Sequence, residues 1–242
     1  MRAGWQELEA HLRTFAARLP ERPRAIIAIS GNWEERVPAV NAGTAPPLLY
    51  DYGGFPDYTY CLSWPAPSDP PLAAKVRSLL LAAGIQNGVE QDRGWDHGIF
   101  VPLKVMFPAA DIPVVQLSLQ QSLDPDAHLA MGCALRSLRS EGVLILGSGQ
   151  SYHTMRGFLG EGSADPAAAA LDDWLRSTIA NADLREDALT RWEDAPGARA
   201  AQPREDHLIP LMVAAGAAIG EPAVIDFHGH VLGKPISGFR SG

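Results

Sequence analysis

Apolar positions along the chain follow two patterns, one typical of amphipathic helices and one of buried strands. Residues 5–19 carry apolar side chains at helical spacing, and Pro20 and Pro23 end that segment. Three short apolar runs suit strands buried on both faces, as in a parallel sheet, and they cover residues 25–29, 113–119 and 142–147. Further helices are predicted over residues 70–83, 126–140, 166–181 and 206–219.

The order of these elements predicts the fold class. Strands that alternate with helices indicate an α/β protein, with a mostly parallel central sheet and helices on both faces. A single domain over residues 1–242 is the simplest interpretation. Residues 41–71 are rich in proline, glycine and tyrosine and predict a long, ordered loop. Its aromatic side chains either pack on the protein or form a wall for a planar aromatic ligand.

Composition narrows the classes of partner. The chain has 242 residues, a net charge of -8 and a pI near 5.3, which argues against binding to nucleic acid or to an anionic membrane surface. Neither a signal-peptide pattern nor an apolar run of the ~20 residues needed for a membrane helix is found, so we expect a cytoplasmic protein. Cys61 and Cys133 are far apart and suit a reducing compartment, each as a small buried apolar residue.

Candidate chemistry collects where the predicted strands end, because open α/β sheets place their sites beyond the carboxyl ends of strands. Asn32 follows the first strand within S-G-N-W (30–33), and Ser118 and Gln120 end the second. The third strand leads into G-S-G-Q-S-Y-H (147–153), whose small residues let the backbone approach a ligand. His153 is then either a general acid/base or a surface histidine at a helix start.

Two more histidines stand in informative surroundings. His97 lies in a turn, G-W-D-H-G (94–98), where Asp96 could set its tautomer or raise its pKa. The alternative is an ordinary polar turn. His207 follows Glu205 and Asp206 at a helix start, where acids serve either as metal ligands or as partners of the helix dipole.

The remaining histidines are predicted to be structural or solvent-facing. His228 and His230 form an H-x-H pair that could clip a metal on a strand, but no third ligand is near in the sequence, so a structural role is favoured. His11 is expected on the polar side of the first helix and His128 at an exposed helix start.

Six segments, in order, carry a family resemblance. They are D-Y-G-G-F-P (51–56), Tyr60 with W-P-A-P (64–67), G-W-D-H-G (94–98), P-V-V-Q-L-S (113–118), G-S-G through His153 (147–153) and D-H-L-I-P-L (206–211). Together they are similar to the DODA-type extradiol ring-opening dioxygenases, the class III or LigB-like family. The likeness runs from about residue 20 to the C-terminus.

The resemblance implies an activity and a set of site residues. The family opens a catechol ring beside the diol, using dioxygen and a non-haem Fe(II) or Zn(II) held by three side chains. By position, His153 is implied as the acid/base, His97 as a residue that helps bind substrate or oxygen, and His207 as a metal ligand. Asn32 occupies the place of a second ligand, where the family has histidine.

Two departures keep alternatives open. Asn32 offers a neutral amide oxygen, a poor replacement for imidazole on Fe(II). The family's first strand and its G-H-G-[SA]-P motif, which supplies the other histidine, are not matched, which predicts a gap or an open sheet edge and favours self-pairing as a homodimer. Either the start is truncated or the member is degenerate. The competing functions are a catechol dioxygenase, a metal-free member that binds an aromatic ligand or acts as a partner subunit, and a metal-free hydrolase or isomerase using His153 and His97.

Overall fold

A computed structural model describes residues 4–154 and 165–242. The helices are α1 (Gln6–Arg18), α2 (Pro70–Ala82), α3 (His97–Met106), α4 (Pro125–Leu135), α5 (Pro166–Ala180), α6 (Arg185–Thr190), α7 (Ala198–Ala201) and α8 (Ile209–Ala217). The strands are β1 (Ala25–Glu35), β2 (Ala39–Asn41), β3 (Gly88–Glu90), β4 (Val114–Gln120), β5 (Val143–Ser148), β6 (Ala223–Val231) and β7 (Lys234–Ser241). Short 3₁₀ turns cover Asp57–Cys61, Arg136–Glu141, Trp192–Asp194 and Glu205–His207.

The central sheet confirms the predicted fold class. Its five strands run in the order β3-β2-β4-β1-β5, and β1 is parallel to both β4 and β5. The residues of β1 from Ala25 to Ser30 are fully buried, as expected for a strand covered on both faces. The short β2 is parallel to β3 but antiparallel to β4, so the sheet is mostly parallel.

Helices cover both faces of this sheet. On one face Ile27 and Val115 pack in a cluster with residues of α2, α4, α5 and α8. On the other, Ile26 and Val114 pack in a second cluster with residues of α1 and α3. Beyond this body, β6 and β7 form an antiparallel hairpin, which the sequence did not predict. The hairpin packs against α1 through a small cluster containing Phe227.

Three of the helices begin with the same two residues. Asp69, Asp124 and Asp165 each accept a hydrogen bond from a backbone N–H in the first turn of α2, α4 and α5. A proline follows each of them, at a position where the missing N–H costs nothing and the fixed φ suits a helix. This local chemistry explains why the predicted helix starts lie close to the observed ones.

One edge of the sheet is open. β5 is the last strand in the order, and no strand pairs with its outer side within residues 4–154 and 165–242. A cavity of about 580 Å³ runs beside it, lined on one side by Phe15 and Leu19 and on the other by residues that include Leu175 and Leu211. Across the same described ranges, no helix has both the length and the apolar composition that crossing a membrane requires.

Candidate functional site

Three backbone segments meet at the carboxyl ends of β1 and β5. A Cβ atom on Gly149 would overlap the carbonyl oxygen of His207, and one on Gly31 would lie 2.8 Å from the carbonyl oxygen of Asp206. The backbone N–H of Gln150 donates to the carbonyl of His207 at 2.9 Å. Only glycine permits this approach. The loop after β5 and the irregular part of β1 around Gly31 therefore hold the turn at 205–207 directly, backbone against backbone. The strand was predicted to end before this point, but it continues to Glu35, so Asn32 lies within it.

His153 and His207 lie face to face at this junction. The backbone N–H of His153 donates to the carbonyl of Ala201 at 2.9 Å, which fixes the loop end. The two imidazole rings are stacked, with centroids 3.5 Å apart and planes 14° from parallel. One ligating atom from each ring and a carboxylate oxygen of Asp206 all lie within 4.8 Å of one another. The sequence predicted both histidines as site residues, and the structure brings them together.

Burial and charge set the protonation of this group. Burial lowers the pKa of His153 to about 4, helped by the nearby rings of His207 and His97 and opposed by the carboxylate of Asp206. Burial acts to raise the pKa of Asp206, but His207 and Arg204 outweigh it and bring that pKa below its usual value. At neutral pH the site therefore contains an uncharged His153 beside an ionised carboxylate.

The donors of this group fit a divalent transition metal. The Nδ1 atom of His207 lies 3.2 Å from Oδ1 of Asp206 but is not aligned for a hydrogen bond, and it is buried without a hydrogen-bond partner among the described residues. A buried polar atom left unpaired is costly unless something else satisfies it. An imidazole nitrogen and a carboxylate oxygen are donors that suit non-haem Fe(II) and related ions, and here they lie beside a second imidazole, that of His153. Within the described ranges this is the one such group of His, Cys, Asp or Glu side chains.

Asn32 lies beside the same junction with its side chain already engaged. The side-chain amide nitrogen and the backbone N–H of Asn32 both donate to Oγ of Ser30 at 3.1 Å. The backbone carbonyl of Asn32 accepts from Arg93 at 3.2 Å. A Cβ on Gly98 would be 2.5 Å from that amide nitrogen, so Asn32 packs on the first turn of α3. The amide oxygen is the atom that could serve as a ligand.

His97 begins α3, and its carboxylate partner is not the predicted one. Asp96 is fully buried, accepts a hydrogen bond from Gln116 and lies 3.5 Å from Arg93, so it does not set the tautomer of His97. Instead Oδ1 of Asp51 lies 2.7 Å from Nδ1 of His97 and accepts from its backbone N–H at 3.1 Å. The prediction of a carboxylate partner for His97 identified the wrong residue.

An aromatic cluster lines the approach to His97. The ring of Tyr52 meets His97 edge to face, with centroids 5.5 Å apart, and lies 5.2 Å from the ring of Tyr60 at a tilt of 38°. Tyr50 packs on Phe100 of α3 at 5.8 Å. The tyrosine-rich loop thus packs on the protein body and at the same time presents aromatic surface beside a candidate site residue. The packing alternative is therefore confirmed, and the ligand wall stays a prediction.

Several other predictions were wrong. Ser118 accepts a hydrogen bond from the backbone of Ala39 and joins β4 to β2, so it is structural. Cys61 and Cys133 are free but exposed, whereas the sequence predicted buried thiols. His128 is fully buried rather than solvent-facing.

The H-x-H pair behaves as a structural feature of the hairpin. His228 and His230 are both exposed on β6, on one side of the strand. Nδ1 of His228 lies 3.3 Å from the buried carboxylate of Asp172 and 3.1 Å from the hydroxyl of Ser237. Neither histidine belongs to a group of ligating side chains within the described part of the chain. The favoured structural interpretation agrees with these contacts.

Asp51 is the site residue that sequence reasoning missed. It is 46 residues from His97 along the chain, so no local window connects the two. The signal was an acid between two tyrosines in a loop whose other charged residues are Asp57 and Asp69. In the sequence, Asp206 was one of three consecutive candidate ligands, Glu205, Asp206 and His207. In the structure, Asp206 and not Glu205 has its carboxylate close to the stacked rings.

Comparisons with known proteins agree with these features. Residues 3–232 match the family described as the catalytic LigB subunit of aromatic ring-opening dioxygenase. The 4,5-DOPA dioxygenase extradiol of Beta vulgaris is 42% identical over 202 residues, which cover 82% of this chain and 74% of that protein. The dioxygenase tasH of Hapsidospora irregularis is 40% identical over 228 residues, 89% of this chain and 70% of that protein.

Bacterial relatives extend the likeness to structure. The 4,5-DOPA dioxygenase extradiol of Escherichia coli strain K12 is 34% identical over 218 residues, 88% of this chain and 80% of that protein. The crystal structure of the uncharacterized protein JW3007 from Escherichia coli K12 superposes with a TM-score of 0.80 at 30% identity. It covers 96% of this chain and 90% of that one. The sheet and its flanking helices therefore have a solved counterpart.

Proposed function

Because the chain belongs to the LigB family of aromatic ring-opening dioxygenases, we propose that it opens a catechol-type ring beside the diol, with dioxygen and a non-haem metal. The observation that most supports this is the stack of His153 on His207 beside Asp206, at the carboxyl end of the sheet. Relatives named for 4,5-DOPA favour DOPA or a similar catechol as the substrate.

We assign the metal to His207 and Asp206, with the amide oxygen of Asn32 as a third donor. Imidazole and carboxylate favour Fe(II) or Zn(II). A metal held there would supply a Lewis acid for the catechol hydroxyls and for dioxygen. Arg204 also holds Asp206 in place, because it donates a hydrogen bond to the carboxylate at 3.0 Å. Arg204 is itself held by hydrogen bonds to both carboxylate oxygens of Glu34.

His153 is assigned to proton transfer. With a pKa of about 4 its ring is uncharged near neutral pH, so a ring nitrogen can accept the proton that a catechol hydroxyl donates. The same imidazole, once protonated, can return that proton to the product. His97 is assigned to binding substrate or oxygen, and the rings of Tyr52 and Tyr60 offer edges and faces on which a planar catechol can pack.

Asn32 favours a second candidate function, a metal-free member that binds an aromatic ligand or acts as a partner subunit. Its amide nitrogen is used by Ser30, and a neutral amide oxygen is a weak ligand for Fe(II). The two candidates make opposite predictions about metal retention and oxygen consumption.

Metal content and oxygen uptake test the proposal together. The purified chain is incubated anaerobically with Fe(II), desalted, analysed for metal and then given DOPA in an oxygen electrode. We expect retained iron and DOPA-dependent uptake. His153→Ala should lower kcat by roughly a hundredfold to ten-thousandfold, since it removes the proton acceptor. His230→Ala, an exposed histidine on the hairpin, is the matched control and should leave uptake unchanged.

Failure has a distinct signature. A wild-type chain that binds DOPA by calorimetry but keeps no metal and consumes no oxygen would support the metal-free alternative. Asn32→His then serves as a second arm, because it restores imidazole at the end of β1 and should raise iron retention if that position faces the metal. Unchanged retention in this variant would remove Asn32 from the proposed ligands.

A further inference from the structure

The carboxylate of Asp51 makes two contacts with one residue. Its Oδ1 accepts the backbone N–H of His97 at 3.1 Å and lies 2.7 Å from Nδ1 of the same ring. Burial acts to raise the pKa of Asp51, but the hydrogen bonds from His97 outweigh it and bring that pKa below its usual value. An ionised carboxylate can only accept, so the ring proton lies on Nδ1.

A backbone frame holds the two residues in register. Leu48 and Trp95 form a parallel bridge, the N–H of Leu49 donates to Trp95 at 2.8 Å, and the N–H of Trp95 donates to Pro47 at 2.8 Å. Asp51 and His97 follow this frame directly in their segments. The pairing of their side chains therefore depends on fixed main-chain geometry rather than on a chance surface encounter.

The tyrosines on either side fix the loop that carries Asp51. The hydroxyl of Tyr50 donates to the carbonyl of Leu62 and that of Tyr52 to Thr59, both at 2.6 Å. Tyr52 also packs its ring against His97. The side chain of Asp51 is 22% exposed and that of His97 37% exposed, so the ring has open space beyond the carboxylate.

We propose that Asp51 is a positioning residue for the reaction, which keeps the proton of His97 on Nδ1 and leaves the lone pair of Nε2 available to a hydroxyl of the substrate. The kinetic part of this inference rests on the proposed function, whereas the tautomer does not. An Nε2 lone pair accepts a hydrogen bond from a catechol hydroxyl, and a ring turned to the other tautomer would present a donor there instead.

A purely structural role is the alternative, because Asp51 also caps α3. The N-cap residue Asp96 makes no capping bond with its own side chain, so the first backbone N–H of this helix is served by Asp51. Two substitutions separate the roles. In Asp51→Ser the shorter side chain withdraws its oxygen from both contacts, so native circular dichroism in that variant would show that losing the cap is not the cause of any kinetic change. Asp51→Asn keeps an acceptor for both contacts.

Nitrogen-15 NMR of the His97 ring and steady-state kinetics on the metal-loaded chain provide the test. We expect Asp51→Ser to lose the Nδ1-protonated signature and about 10- to 100-fold in kcat/KM, mostly in kcat, while Asp51→Asn keeps both. Asp57→Ala, an exposed acid on the same loop, is the control and should change neither.

The outcomes separate the two proposals. An unchanged tautomer and rate in Asp51→Ser would overturn the positioning role and leave Asp51 as a helix cap. If the wild-type chain has no dioxygenase activity, the proposed function fails, and the NMR comparison still decides the tautomer. If Asp51→Ser does not fold, Asp51→Asn carries the test, since a changed His97 tautomer in that variant with native circular dichroism would contradict the acceptor geometry.

Discussion

Histidine side chains in this protein take their properties from partners that are distant in the sequence. His153 is uncharged because it is buried against His207, and His97 is oriented by Asp51. The strand ends, visible as apolar runs, pointed to Asn32 and His153, whereas His207 was implied only by the family resemblance. The carboxylate partner of His97 could not be predicted, because the contact depends on how a long loop returns to the start of α3.

His128 shows the same limit and leads to a test. Its Nδ1 donates to the carbonyl of Asp124 at 2.7 Å, and its Nε2 accepts the backbone N–H of Gln120 at 3.0 Å. The neutral tautomer with its proton on Nδ1 is therefore hydrogen-bonded through both ring nitrogens inside the protein. A helix-start pattern alone placed this ring in solvent, because the pattern does not reveal which side of the helix faces the sheet.

Acid should therefore destabilise the fold through His128. Burial lowers its pKa below 6.5, so below that pH the unfolded chain binds a proton that the folded chain does not. Stability is then full above about pH 6.5 and decreases as pH falls towards the folded pKa. We expect His128→Gln to flatten the decrease in urea midpoint between about pH 7 and pH 5. His230→Gln is the control, and equal slopes in all three proteins would contradict this explanation.

At the scale of elements, periodicity predicted what is long and regular. The three long strands of the sheet and most helices were found, because continuous burial and Asp-Pro helix starts are local signals. The strands β2 and β3 have three residues each, too few for a pattern, and they join the sheet because β2 pairs with β4 and β3 pairs with β2. The hydrophobic pattern also could not predict which helices cross, because close crossings depend on small residues of two helices meeting in space.

The crossing of α4 and α8 depends on two glycines, Gly132 and Gly216, each in close contact with the backbone of the other helix. A Cβ on Gly132 would overlap the carbonyl oxygen of Val213 and lie 2.7 Å from the backbone nitrogen of Ala217. Gly132→Ala should therefore push the helices apart and cost about 1–3 kcal/mol in the free energy of unfolding. Gly53→Ala, with open space around the added carbon, is the control. Urea denaturation at constant m-value measures both, and equal midpoints would show that the helices adjust freely.

At the scale of the whole molecule, residues from both halves of the sequence build one body. Helix α1 packs on the hairpin of β6 and β7, where the backbone N–H of His230 donates to Glu7 at 2.8 Å and that of Leu232 donates to Gly4 at 2.9 Å. We therefore propose that residues 1–242 unfold as a single domain, as the element order suggested. The alternation of strands and helices could predict the sheet, but not this closing contact.

Cooperative unfolding tests the single domain. Far-ultraviolet circular dichroism and tryptophan fluorescence should give the same thermal midpoint, because no part is stable alone. Glu7→Ala removes an exposed acceptor and should lower stability by about 0.5–1.5 kcal/mol without splitting the transition. Arg13→Ala, an exposed residue of the same helix, is the control. Two separate midpoints in the wild type would reject a single cooperative unit.

In the part of the chain that the structure describes, no strand pairs with the outer side of β5, and this has a consequence for the behaviour of the purified protein. A strand with the sequence V-L-I-L-G-S carries no charge and no proline, and its outward N–H and C=O groups can hydrogen-bond to any extended backbone. The homodimer expected from the sequence would be one ordered outcome of that property. Open-ended stacking into fibrils, in concentrated or warmed samples, would be the other outcome. The protein concentration during storage would then affect which assembly forms.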